Sequence, residues 1–258
     1  MSEIAGEVPS PAGGTVFDQW LHDDNARSTR TDSAAPRSSD QPHIGELGSG
    51  SDYTPFLQHA GVPSTDIGSE GPYSVYHSVF DNYDWFTRFA DPTFAYTQQQ
   101  ARILGLEILH MADADVLPYD DETYARAIHG YLDQARRTAS TAGMKLDFDA
   151  ATAAADRFAG AAHALRQQQL APPANPAALD RELCAAEHAL LLPAGLPGRP
   201  WYRHSIYAPG QFTGYEAAVI PGVNDAIAAA DAPRAQSQLD QLVQALDRAA
   251  AALSATPR

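Results

Sequence analysis

Between residues 121 and 253 the apolar residues of this chain recur at alternating steps of three and four, and that spacing leaves little choice of secondary structure. Tyr124, Ile128, Tyr131 and Ala135 form one such series, and Phe148, Ala151, Ala155, Phe158, Ala162 and Leu165 a second. Leu179, Leu183, Ala186 and Leu190, and then Leu239, Leu242, Leu246, Ala249 and Leu253, repeat the pattern. Each series draws a single stripe along an α-helix. A stripe of this kind is stabilising only when something covers it, so the helices must pack on one another. Alanine at many contact positions lets their backbones approach closely. The expectation is an antiparallel helical bundle, in which Gly143 ends the helix over Asp121–Ala142 as a left-handed cap.

Upstream the texture is mixed. Ala95–Val116 reads as a helix apolar nearly all round (Ile103, Leu104, Leu106, Ile108, Leu109, Met111), the pattern of a buried helix, stopped by Leu117-Pro118. His43–Leu47 reads as a short strand entering the turn Gly48-Ser49-Gly50-Ser51-Asp52, and Tyr53–Ala60 as the helix that follows. Pro63–Ile67 is extended, and Asp81–Phe89 has helical spacing of Tyr83, Trp85, Phe86 and Phe89 before Asp91-Pro92 closes it. Residues 1–42 carry too few apolar side chains for a core of their own. Phe17 and Trp20 indicate a docking helix there, and Ala26–Gln41 an exposed tether. Leu192–Gly222 is irregular, its early prolines and glycines forbidding a helix, yet Trp201, Tyr202, Ile206 and Tyr207 are too apolar for a solvated linker. A loop of that length inside a domain is usually functional or packed on a partner.

Charge and cysteine content remove several classes of function. The chain has 17 basic against 32 acidic residues, a net charge of −15, so a phosphate backbone would be repelled and nucleic acid is not expected as a partner. The single cysteine, Cys184, excludes an intramolecular disulfide framework and any multi-thiolate metal site. No window approaches the roughly 18 consecutive apolar residues of a membrane span, and the N-terminal residues lack the basic start and apolar core of a signal peptide. The expectation is a soluble chain without an export signal.

The candidate chemistry is sparse. The GSGSD turn offers backbone N–H groups to an anion, but it lacks the lysine of a phosphate loop and the full dinucleotide fingerprint, and on its own it reads as a structural turn. Glu107-x-x-His110 is half of a di-iron bundle motif, with no second Glu-x-x-His to complete it. Asp113, Asp115, Asp120, Asp121 and Glu122 read as a helix cap and a solvated acidic face. Cys184, at helical spacing and without a flanking cation, is expected to face the core. His77, preceded by Tyr76 in a loop, is either an acid–base group or ligand or a bystander; no HExxH accompanies it.

Three segments carry a resemblance: ELGSGSDYTPFLQHAG; GPYSVYHSVFDNYDWFTRFADPTFAY; and LPGRPWYRHSIYAP, with YEAAVIPGVNDAI after it. Running in order from about Glu3 to the C-terminus, they resemble the C-terminal part of the glutamate carboxypeptidase II and transferrin receptor family. The resemblance implies a mainly α chain: the C-terminal remnant of an α/β zinc-aminopeptidase-like domain, followed by an antiparallel helical bundle that dimerises. Residues 1–42 would be docking helices and loop of the peptidase part, 43–115 its C-terminal portion, and 116–258 the dimerisation bundle.

In that family a two-zinc site is held by His, Asp and Glu residues, with a Glu as general base. The resemblance places His77 at the last zinc ligand and Tyr76 at the phenol that contacts the oxyanion of the tetrahedral intermediate. Gly50 and Ser51 would line the substrate channel, and Tyr215 would meet the substrate carboxylate, although Gly214 stands where the family has lysine. The other ligands and the general base have no counterpart in this sequence. The expected function is therefore the C-terminal fragment of a zinc metallopeptidase, homodimeric and not catalytic alone; the alternative is a stand-alone non-catalytic dimerisation or interaction module. The family works outside the cytosol, but no localisation can be read from these residues.

Overall fold

A computed structural model describes residues 1–28, 40–171, 176–212 and 214–254. The chain is mainly helical and divides into two compact units, one of residues 1–45 and 67–113, the other of residues 46–66 and 114–258. The ranges drawn from the resemblance run consecutively, whereas the contacts assign residues 46–66 to the same unit as the C-terminal helices.

The first unit contains α1 (Ser2–Glu7), α2 (Val16–Ser28), α3 (Tyr83–Trp85) continuing into a π-helical turn (Phe86–Ala90), and α4 (Ala95–Ala112). Of the expected tether, Ala26–Ser28 continue α2, residues 29–39 lie outside the described residues, and Asp40 and Gln41 are non-helical. Its small core is Ile4, Val8 and Ile103, with Met1, Val16, Ile67 and Leu106 against it. The expectation of a buried α4 is corrected here. Only Gln99 and Ile103 are buried, while Leu104, Leu109 and Ile108, 67% exposed, face solvent. Helix α4 packs on α1, which covers one stripe and no more. The helix also stops at Ala112 rather than Val116. Downstream, the Leu117 N–H donates to the Asp180 carboxylate at 2.8 Å, an attachment outside the helix.

The second unit contains α5 (Asp121–Thr141), α6 (Asp149–Leu170), α7 (Pro176–Ala189), the short strands β1 (Tyr207–Pro209) and β2 (Ala217–Val219), α8 (Pro221–Ala228) and α9 (Ala232–Leu253). Helix α9 lies against α6, α7 and α8, and α5 against α6 and α8. The stripes meet in one core in which Ile128, Phe158, Leu165, Leu179, Leu183, Leu239 and Leu246 are essentially inaccessible. Burial of each such side chain stabilises by roughly 1.5–3 kcal/mol, which offsets the entropy of ordering the helices. Asp120 caps α5, its carboxylate accepting the Thr123 N–H at 2.9 Å. At the other end Gly143, at φ +70°, lets the Met144 N–H reach the Ala139 carbonyl at 2.9 Å.

Three further expectations change. His43–Leu47 is not a paired strand: the carbonyls of Leu47 and Gly48 are taken by the Gln58 side chain instead. Cys184 does not face the core but is exposed, because α7 turns Leu183 inward and its neighbour outward. Residues 207–209 and 217–219 pair antiparallel, Tyr207 opposite Val219, and α8 follows at once, so part of the stretch read as irregular is ordered structure. Proline at the head of α8 fits its first turn, where a backbone N–H would have no helical partner.

Candidate functional site

Gln58 sits on a π-helical turn, Pro55–Ala60, closed by Gly61 at φ +66°. The wide turn directs both Leu57 and Gln58 inward, and Gln58 is 0% exposed. Its Nε2 donates to the carbonyls of Leu47 and Gly48, while its backbone oxygen accepts the N–H groups of Arg203 at 2.8 Å and His204 at 3.1 Å. One residue therefore joins the Gly-rich turn to the long loop. That loop is itself held by Arg199, which donates to the Pro209 carbonyl and pairs with Asp225 of α8 at 2.6 Å.

The turn rests against Tyr215. The Ser49 N–H donates to the Tyr215 carbonyl at 3.0 Å. A Cβ on Gly48 would lie 1.8 Å from that same oxygen, and one on Gly50, at φ +100°, 2.7 Å from the Tyr215 ring. Glycine is required at both positions for close approach, not for cradling an anion, and the Ser49 amide is already engaged. Gly50 and Tyr215 thus come into contact, and Ser51 follows on the exposed outer side of the turn. The Tyr215 side chain remains 56% exposed, so its phenol is open to a ligand.

Tyr76 and His77 belong to the other compact unit. Their rings stack at 3.8 Å, both are exposed, and His77 has φ +59°, a left-handed conformation that glycine adopts at lower cost. Among the described residues no group of three or more His, Cys, Asp or Glu could hold a metal ion, Glu107 and His110 included.

A second polar cluster lies where α5, α7 and the loop meet, and sequence reasoning missed it. His204, 0% exposed, accepts the backbone N–H groups of Ile206 at 3.2 Å and Tyr207 at 3.0 Å on Nδ1. The proton must therefore sit on Nε2, which donates to Glu187 at 2.8 Å. Tyr207 stacks on His204 and shares a hydrogen bond of 3.1 Å with Tyr131. Asp121, read from sequence as part of a solvated face, belongs to this cluster: one of its carboxylate oxygens is buried without a hydrogen-bond partner. Burial, then the nearby charges of Glu187 and Asp120, pushes its pKa up to about 7. The exposed thiol of Cys184 is also raised, by desolvation and by Asp180, which makes it a poor nucleophile.

Residues 140–254 match the transferrin receptor-like dimerisation domain. The chain is 32% identical, over 85% of its length, to a probable glutamate carboxypeptidase, LAMP1, of Arabidopsis thaliana, and 33% identical, over 82%, to a probable glutamate carboxypeptidase of Arthroderma benhamiae. It is 28% identical over 95% of its length to the aminopeptidase NAALADL1 of Rattus norvegicus. It spans about 30% of the length of the two carboxypeptidases and 35% of the aminopeptidase. Residues 140–254 are thus similar to the transferrin receptor-like dimerisation domain, and over most of its length the chain is similar to part of the glutamate carboxypeptidase-like peptidases.

Proposed function

We propose that this chain is a portion of a glutamate carboxypeptidase-like zinc metallopeptidase, in which residues 1–115 complete a peptidase domain and residues 116–258 form a homodimerisation module. The observation that carries the reading is the seat of Gly48 and Gly50 on Tyr215: the segments assigned to the substrate channel by resemblance lie 165 residues apart in sequence and touch through contacts that exclude any other residue type. A solvent-facing phenol beside a rigid turn suits the end of an extended peptide, with Ser51 and the Gly50 backbone as its neighbours. Without a lysine at Gly214, the surface supplies a hydrogen-bond donor for a carboxylate and no charge.

In this reading His77 contributes a zinc ligand and Tyr76 the oxyanion contact. The described residues do not make a zinc site on their own, since the exposed imidazole of His77 offers one of the several ligands a catalytic zinc needs and no cluster among them supplies the rest. The chain by itself is therefore a dimerising, non-hydrolytic piece of the larger enzyme.

Sedimentation equilibrium at tens of micromolar tests the dimer: a folded chain that remains monomeric contradicts it. Cleavage of acidic dipeptides by the purified chain, abolished by chelator and restored by zinc, overturns the assignment of hydrolysis to the complete protein alone.

A further inference from the structure

We infer that Gln58 is a positioning residue, which sets the distance between the Gly48–Ser51 turn and Tyr215 and so shapes the proposed peptide-binding surface; this rests on the substrate-channel reading given above. Its carboxamide is the only side-chain group seen to bond the carbonyls of Leu47 and Gly48 among the described residues. Its main chain holds the other half of the surface: the Gln58 carbonyl fixes Arg203 and His204, and three residues later β1 begins. Strand β1 pairs with β2, and the Gly210 N–H reaches the Glu216 carbonyl at 2.8 Å, which sets the backbone beside Tyr215.

The two bonding systems originate on one residue, so the turn and the tyrosine share a common anchor. Complete burial removes water as a competitor for the carboxamide, and the remaining acceptor, Oε1, has no donor among the described residues. Burying an amide with half its capacity unused costs stability, and a hydrophobic side chain of similar volume would pack there at less cost. The donor function of Nε2 is what the turn uses. Gly50 reports the result, because the α-hydrogen that a Cβ would replace points at the Tyr215 ring at a separation only glycine permits.

The test uses the full chain and nuclear magnetic resonance. Gln58→Met keeps the volume and removes the donor. It should accelerate exchange of the Ser49 amide about tenfold and collapse the ring-current shift of the Gly50 α-protons, with amide protection in α6 and α9 unchanged. Gln58→Asn keeps the carboxamide but shortens its reach by one methylene, and should give a smaller change of the same sign. Leu246→Ala serves as control, because it loosens the helical core without touching the turn and should leave the Gly50 shift in place. Unchanged Ser49 exchange and Gly50 shift in either folded Gln58 variant would overturn the inference. A titration with aspartyl-glutamate separates the two claims. If Tyr215 and Gly50 of the wild-type chain do not respond at millimolar dipeptide, the channel reading fails, while the exchange data still decide the role of Gln58. If they respond, Gln58→Met should weaken the response about fivefold or more.

Discussion

Replacing Asp121 by Asn should remove a pH dependence of stability that runs opposite to ordinary acid denaturation. In the folded chain this carboxyl titrates at about 7, against 3.8 for an unburdened aspartate, because it is desolvated and faces Glu187 and Asp120. Between those values the folded state holds a proton that the unfolded state has released, so stability falls as pH rises. The contribution is fully present below pH 3.8 and is lost as the pH passes through about 7. Three units correspond to about 4 kcal/mol at most, and partial solvent access at the head of α5 reduces this to about 2 kcal/mol. Asp120 works in the other direction: burial disfavours its charge, but bonds from the Thr123 hydroxyl and N–H, with Arg126 and Arg166 nearby, hold it below the ordinary value. Its contribution is present above pH 3.8 and disappears only in stronger acid, outside the window that isolates Asp121. Glu182, raised by burial, slopes the same way as Asp121, which makes the difference between proteins the quantity to measure. Urea unfolding followed by circular dichroism from about pH 4.5 to pH 8.5 should show the wild type losing about 2 kcal/mol more than Asp121→Asn. Parallel curves for the two proteins would refute the claim that this carboxyl is buried opposite Glu187.

Leu246→Ala, in a fully covered position of α9, should cost about 2–5 kcal/mol in the same unfolding assay, and a loss under about 1 kcal/mol would mean that α9 is not packed as described. Gly48→Ala forces a Cβ into the Tyr215 carbonyl and should destabilise the turn by about 2 kcal/mol, read as faster exchange of the Ser49 amide. His77→Gly relieves a left-handed conformation and should raise stability by up to about 1 kcal/mol, whereas a fall would show that the imidazole holds the loop together. Isothermal titration with zinc should give no stoichiometric micromolar site for the chain alone.

How much was legible in the sequence depends on how local each signal is. The positions on the stripes of α5, α6, α7 and α9 that reach the core were readable, because a one-faced period of three and four is written in neighbouring residues. Capping by Asp120 and the left-handed Gly143 were readable for the same reason. Helix α4 misleads because its apolar residues spread nearly all round it, and composition does not say how many neighbours a helix will have. Asp121 misleads because aspartate in a first turn is ordinarily solvated; here packing buries it, and the charge of Glu187, 66 residues away, adds to the effect. Of the candidate site, the GSGSD turn and Tyr215 were picked out by resemblance, but their contact was not, nor were Gln58, Glu187 and His204. The buried Gln58 carried a faint signal, as a polar residue directly after Phe56-Leu57 in a short turn.

By itself the sequence determined that most of this chain is helical, which faces of the C-terminal helices are covered, and that its one cysteine cannot build a multi-thiolate metal centre, because periodicity and composition are properties of the covalent chain. Only the tertiary structure decided that Gly48 and Gly50 serve a close approach to Tyr215, that one glutamine joins the turn to the loop, and that Asp121 keeps a proton near neutrality. Close approach, hydrogen-bond pairing and desolvation are set by groups brought together from distant parts of the chain, and they exist only once the helices have packed.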